Sequence, residues 1–218
     1  MKKEKELKGL ILDLRSNPGG LLNESVDIVN LFVDKGEQVV STKGKIKSWE
    51  KSYVANKAPL DTEVPLVVLI NSSSASASEI VSGAIQDWDR GIIVGRRSFG
   101  KGLVQKPMFL PDGSMMRLTI ARYYTPTGRL IQKSYEGGSE KYHKDLVNRY
   151  NNGELSNEDS IHFPDSLRYF TMKNKRVVYG GGGIMPDIFV AIDTTDYSDY
   201  YRDLIRKGII NRFVLGYM

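Results

Sequence analysis

Pro65-Leu-Val-Val-Leu-Ile70-Asn-Ser-Ser-Ser-Ala-Ser-Ala-Ser-Glu79-Ile-Val-Ser-Gly-Ala-Ile85 decides how the chain reads. The apolar run 65–70 is uninterrupted and rich in β-branched residues, which predicts a strand in a sheet covered on both faces. Small polar residues turn the chain, and Ala77, Ile80, Val81, Ala84, Ile85 and Trp88 then recur at helical spacing. The same order appears upstream: the run Gly9-Leu-Ile-Leu-Asp-Leu14, the turn Ser16-Asn-Pro-Gly-Gly20, and a stripe at Leu22, Val26, Val29 and Val33 that Gly36 ends. Gly91-Ile-Ile-Val94 is a third strand, followed by a flexible turn from Gly95 to Gly102. Strand, helix, strand, helix, strand implies crossover connections and a largely parallel sheet, hence an α/β fold.

The flanking regions are less regular. Val39-Val40 predicts a short strand, with a surface loop running to Asp61. Leu103–Leu110, Met115–Tyr124 and Arg129–Gln132 read as strands joined by turns at Pro111-Asp-Gly113 and Pro126-Thr-Gly128. Residues 134–176 are polar and weakly periodic, with helix expected near Glu140–Tyr150 and Asp165–Met172, and read as an insertion or lid. Gly180–Gly183 lead back to a strand at Ile184–Val190, and a C-terminal helix is expected near Tyr197–Lys207.

Composition narrows the chemistry. The 218 residues include no cysteine, which excludes disulfides, thiolate metal sites and a cysteine nucleophile. Two histidines, His143 and His162, cannot build a multi-histidine metal centre. The net charge of +5 is scattered, without the basic runs and interleaved aromatics of a nucleic-acid binder. No run reaches the ~20 apolar residues that span a bilayer, and Leu10-Ile-Leu12 is too short for a signal-peptide core.

Both strand–turn–helix units could present unpaired backbone N–H groups to an anion, as a phosphate cradle or an oxyanion hole. Taken singly, each has an ordinary reading: Pro-Gly-Gly as a turn, the serines as helix caps. Phosphate-loop, dinucleotide and Gly-x-Ser-x-Gly motifs are all absent. A serine nucleophile needs a base, and both histidines lie in the insertion, away from the strand ends. Lysine is the alternative, provided burial favours its neutral form. Lys101, between Gly100 and Gly102, is set where backbone can pack around it.

Asp13-Leu-Arg-Ser-Asn-Pro-Gly-Gly20, Ser74-Ala-Ser-Ala-Ser-Glu79, Phe99-Gly-Lys-Gly-Leu-Val-Gln105, Tyr123-Tyr-Thr-Pro-Thr-Gly-Arg129 and Gly183-Ile-Met-Pro-Asp187 together resemble the C-terminal processing peptidases. These tail-specific proteases are Ser/Lys serine peptidases of the S41 type. The resemblance implies a crotonase/ClpP-like core, at 1–133 and 177–218, and cleavage near protein C-termini through an acyl-enzyme, without metal or cofactor. Carried over, Ser76 is the nucleophile with Ser74 as runner-up, Lys101 the general base, and Gln105 the residue that orients the lysine. The oxyanion hole combines the Ala77 N–H with a glycine of the turn, Gly20 in preference to Gly19. Asp13, Arg15, Asn17, Tyr123 and Tyr124 support the site, and Ser78 caps or packs.

The resemblance further implies protein or peptide substrates bound by their C-terminal region, a periplasmic or cell-envelope setting for the full-length protein, and a homo-oligomer as an option. It also implies an upstream PDZ domain and a preceding part of the core that this stretch lacks, so truncation at the N-terminus is expected. The rival readings are a non-catalytic ligand- or peptide-binding module on the same fold, and an acyl-CoA enzyme of the crotonase type.

Overall fold

The computed structural model describes residues 7–193 and 198–217. The first unit is β1 (Leu10–Asp13) and α1 (Leu22–Asn30); the second is β4 (Leu66–Ile70) and α2 (Ala77–Asp87); β5 (Ile92–Gly95) follows. With β10 (Ile188–Phe189) they form a parallel sheet in the order β1-β4-β5-β10, as the crossover pattern implies. On β4, Leu66, Val68 and Ile70 are buried and pack with Val29 and Val33 of the first unit and Ile80, Val81, Ala84 and Ile85 of the second. This is the core. The expectation of two covered faces is not met: Ile11 is 67% exposed, and Val67 and Leu69 are only partly buried.

A second, antiparallel sheet is built from β2 (Gln38–Gly44), β3 (Lys51–Val54), β6 (Leu103–Phe109) and β7 (Met115–Tyr124), ordered β3-β2-β7-β6. The surface loop expected after Val40 is therefore partly the strand β3. Lys51-Ser-Tyr-Val54 pairs as an edge through its backbone, and its polar side chains hid it. Residues 129–132 do not form the expected strand; a single bridge joins Tyr124 to Leu130. Their main chain is spent elsewhere: Leu130 O and Ile131 O accept from Gly181 N and Gly183 N.

Within residues 134–176, α3 (Gly138–His143) and α4 (Asp145–Asn151) occupy the first expected helix. The second is a single 3₁₀ turn leading into β8 (Arg168–Phe170), which pairs with β9 (Val177–Tyr179). Two β-branched valines opposite Tyr169 and Phe170 favour the hairpin over a helix. The C-terminus carries two helices, α5 (Asp199–Arg206) and α6 (Ile209–Tyr217), where one was expected; Tyr197 lies outside the described residues.

Candidate active site

The turn between β4 and α2 sorts its serines. The Ser74 hydroxyl is fully buried, donates to Leu14 O at 2.7 Å and accepts from Asn71 N at 2.9 Å. The Ser78 hydroxyl donates to Asn17 O at 3.0 Å. Ser76 caps α2, is partly exposed, and donates no hydrogen bond from its hydroxyl among the described residues. Its backbone sits at φ 55°, ψ −114°. For a residue with a side chain such geometry costs about 1–3 kcal/mol, and it pushes that side chain outward between a strand and a helix.

The Pro-Gly-Gly turn packs directly on this elbow. Asn17 O also accepts from Ala75 N at 3.0 Å, joining the two turns. Gly19 is at φ +97°, where a Cβ would lie 2.7 Å from Ser76 Cβ and 2.8 Å from Ala77 N, so only glycine fits. The Gly19 N–H is occupied, donating to Asn17 Oδ1 at 2.9 Å. Gly20 N–H and Ala77 N–H, by contrast, have no acceptor among the described residues. A cleft of about 130 Å³ lies beside them, walled by Leu14, Leu21, Ile28 and Val81.

Lys101 is exposed rather than buried, which corrects the expectation drawn from its flanking glycines. The glycines themselves are what pack. A Cβ on Gly100 would meet Gly182 and Lys133 at 3.1 Å, and one on Gly102 would meet Gln132 N at 2.5 Å. With both neighbours pressed against the core, the side chain between them is directed outward. Gln105 is also exposed, opposite Thr119 on β7, just past a bulge at Val104/Gln105. Among the described residues no hydrogen bond joins the Lys101 amine to Ser76 or to Gln105.

What the fold brings together is backbone. Phe99 N donates to Ser74 O at 2.9 Å, and Gly102 O accepts from Tyr123 N at 2.7 Å. Glu79, fully buried on the first turn of α2, spans the gap: its Oε2 accepts from Ser76 N and Lys101 N, both at 2.8 Å. Burial pushes the Glu79 carboxyl above the usual range, and its hydrogen bonds from Ser98, Lys101, Gly100 and Ser76 pull it back. Its role was not read from the sequence. The signal was there, in the Ser76-x-x-Glu79 spacing of a capping box.

Asp13 and Arg15 form an exposed ion pair at 2.7 Å, and the Arg15 hydrogen bonds hold the Asp13 carboxyl below the usual range. Tyr123 is buried against the core, and Tyr124 lies under the Lys43 ammonium. Arg129, from the Tyr-Tyr-Thr-Pro-Thr-Gly-Arg run, is 1% exposed and pairs with the fully buried Asp87. His143 ends α3 edge-on to Tyr142, and His162 lies in a loop within 134–176. Among the described residues no group of three or more histidine or carboxylate side chains is arranged to hold a metal.

The fold is shared with a photosystem II D1 C-terminal processing protease of known structure: TM-score 0.57, 31% identity, 84% of this chain and 35% of that one. The family model for peptidase family S41 matches residues 1–142, and the chain belongs to that family. A carboxy-terminal-processing protease of Bartonella bacilliformis is 50% identical over 127 residues, 58% of this chain and 29% of that protein. A carboxyl-terminal-processing protease of Picosynechococcus sp. is 49% identical over 123 residues, 56% of this chain and 29% of that protein. The chain thus spans less than a third of the length of these curated relatives.

Proposed function

We propose that this chain carries the catalytic site of a serine endopeptidase that cleaves near protein C-termini with a Ser76/Lys101 dyad. The observation that carries the reading is the sorting of the serines. Ser74 and Ser78 have committed their hydroxyl protons, whereas Ser76 keeps its own at a strained helix N-terminus beside two unoccupied N–H groups. Lys101, made neutral where bound substrate shuts water away from its amine, removes the Ser76 proton, and Oγ attacks the peptide carbonyl carbon. The developing oxyanion is held by Ala77 N–H and Gly20 N–H, and Gly19 serves by close packing rather than by donation. The lysine ammonium returns its proton to the leaving amine, giving the acyl-enzyme. Water then attacks the ester, its proton passing to Lys101 and on to Ser76 as the acid departs.

The Ser76 and Lys101 nitrogens share one carboxylate oxygen, so the two backbones are neighbours, and in this reading the exposed lysine stem rotates to bring its amine to the hydroxyl. Apo sites often tighten only around substrate. Gln105 would steady that amine. The apolar cleft beside Gly20 suits a small aliphatic side chain next to the scissile bond. Family resemblance adds capture of the substrate by its C-terminal region and a periplasmic or cell-envelope setting for the full-length protein.

The test is cleavage of an unfolded protein with an apolar C-terminal tail by the parent chain, Lys101→Ala and Lys101→Arg. Both variants are expected to lose roughly 10³-fold or more, because arginine keeps the charge but has no accessible neutral form. Parent-like cleavage by either variant contradicts the lysine's role. Tight peptide binding without cleavage by the parent would favour the binding-module reading.

A further inference from the structure

Glu79 does more than cap a helix. A cap needs only the Ser76 N–H, yet three further donors reach this carboxylate from a loop about twenty residues on. Oε1 accepts from the Ser98 hydroxyl at 2.5 Å and Gly100 N at 2.6 Å, while Oε2 takes Ser76 N and Lys101 N. Four donors on two oxygens fill an ionised carboxylate and suit no other side chain. Glutamine would turn its NH₂ toward two of them, and aspartate is a methylene short.

The loop is held from behind by the insertion. Arg149 on α4, 3% exposed, donates to Ser98 O at 2.7 Å and to Gly182 O at 3.3 Å. Glu154, just beyond α4, grips Arg97 through two hydrogen bonds of 2.6 Å. Ser98 joins the two halves: its carbonyl faces Arg149, and its hydroxyl faces Glu79 while accepting from Ile184 N at 2.6 Å.

We propose that Glu79 is a positioning residue for the Ser76–Lys101 chemistry, registering the serine elbow against the lysine loop, and that the 134–176 segment fixes that loop through Arg149. The segment is then a brace behind the site, not a cover over it. The proposal rests on the Ser/Lys reading above.

The experiment compares the parent with Glu79→Gln and Ser98→Ala in two ways: steady-state cleavage of a peptide with an apolar C-terminus, and amide hydrogen exchange. For Glu79→Gln, kcat is expected to fall roughly 10²-fold with KM changed by less than about twofold, since small misplacements cost turnover rather than binding. Ser98→Ala, which removes one donor of four, is expected to lose roughly 3–10-fold in kcat. In both, exchange should accelerate at the Ser76, Gly100 and Lys101 amides while the β4 and β5 amides stay protected.

Unchanged kcat in a folded Glu79→Gln protein overturns the proposal, and so does a rise in KM alone or a uniform loss of protection across the core. If that variant does not fold, parent-like kcat in Ser98→Ala overturns it. The exchange arm needs no turnover. A parent chain that cleaves nothing, alone and with the upstream segment restored, contradicts the peptidase reading, while unchanged exchange at the three amides independently contradicts the clamp.

Discussion

Ser76→Ala is expected to reduce peptide cleavage by roughly 10⁴–10⁶-fold, the loss seen when the nucleophile of a serine hydrolase is removed. Its fold should survive. The Ser76 N–H that meets Glu79 is backbone and persists in alanine, and the left-handed φ strains alanine about as much as serine. Circular dichroism and a melting curve close to the parent's, beside lost cleavage, separate a chemical role from a structural one. Ser74→Ala should behave in the opposite way. Its buried hydroxyl bridges Leu14 O and Asn71 N, so the change leaves the Asn71 amide unpaired, with Leu14 O keeping the Asn17 N–H at 3.2 Å, and lowers stability by about 1–3 kcal/mol. Such a variant should retain turnover wherever it remains folded.

Arg129→Met is expected to cost about 3–5 kcal/mol, because it strands the Asp87 charge in the core. The guanidinium donates to Asp87, to Gln86 Oε1 at 3.0 Å and to Tyr179 O at 3.1 Å, so it links the end of α2 to β9. Among the described residues the Asp87 carboxylate would keep only Thr127, whose N–H and hydroxyl lie at 2.9 Å and 2.7 Å. In a domain of this size the midpoint of thermal unfolding should drop by roughly 10 °C. The double variant Arg129→Met/Asp87→Leu should recover much of that loss, since removing both partners of a buried pair is far cheaper than removing one. A single variant that melts with the parent would show that the pair contributes little.

The parallel sheet was legible because its strands are short, continuous apolar runs punctuated by turns, and β1, β4 and β5 stand where those runs lie. The edge strand β3 was hidden because an edge needs only backbone pairing on one side, which polar residues supply as well as apolar ones. Residues 129–132 looked like a strand for the same reason in reverse. Their apolar Leu130 and Ile131 are there to pack, while the backbone bonds the glycines of the 180–183 turn.

At the site, the serine turn and the Pro-Gly-Gly turn can be picked out one at a time from the residues, while their contact is implied only by the family resemblance. The choice between Gly19 and Gly20 as a donor depends on which N–H Asn17 Oδ1 occupies, and only geometry reveals that. The glycines beside Lys101 were read as walls of a buried lysine; they are instead the residues that press the loop to the core and direct the lysine out. Glu79 is hard to single out in the sequence because a capping-box spacing declares one hydrogen bond, whereas three of its four partners come from a distant loop.

Ser76 Oγ is the atom expected to carry the acyl group during turnover. The most direct test is to acid-quench the chain during turnover of a slowly deacylating ester or peptide and map the adduct by mass spectrometry. One acyl group per chain is expected, located on Ser76, lost in Ser76→Ala and present in Ser74→Ala. An adduct on Ser74 or Ser78, or continued cleavage by a chain whose Ser76 never acquires the acyl group, would contradict it.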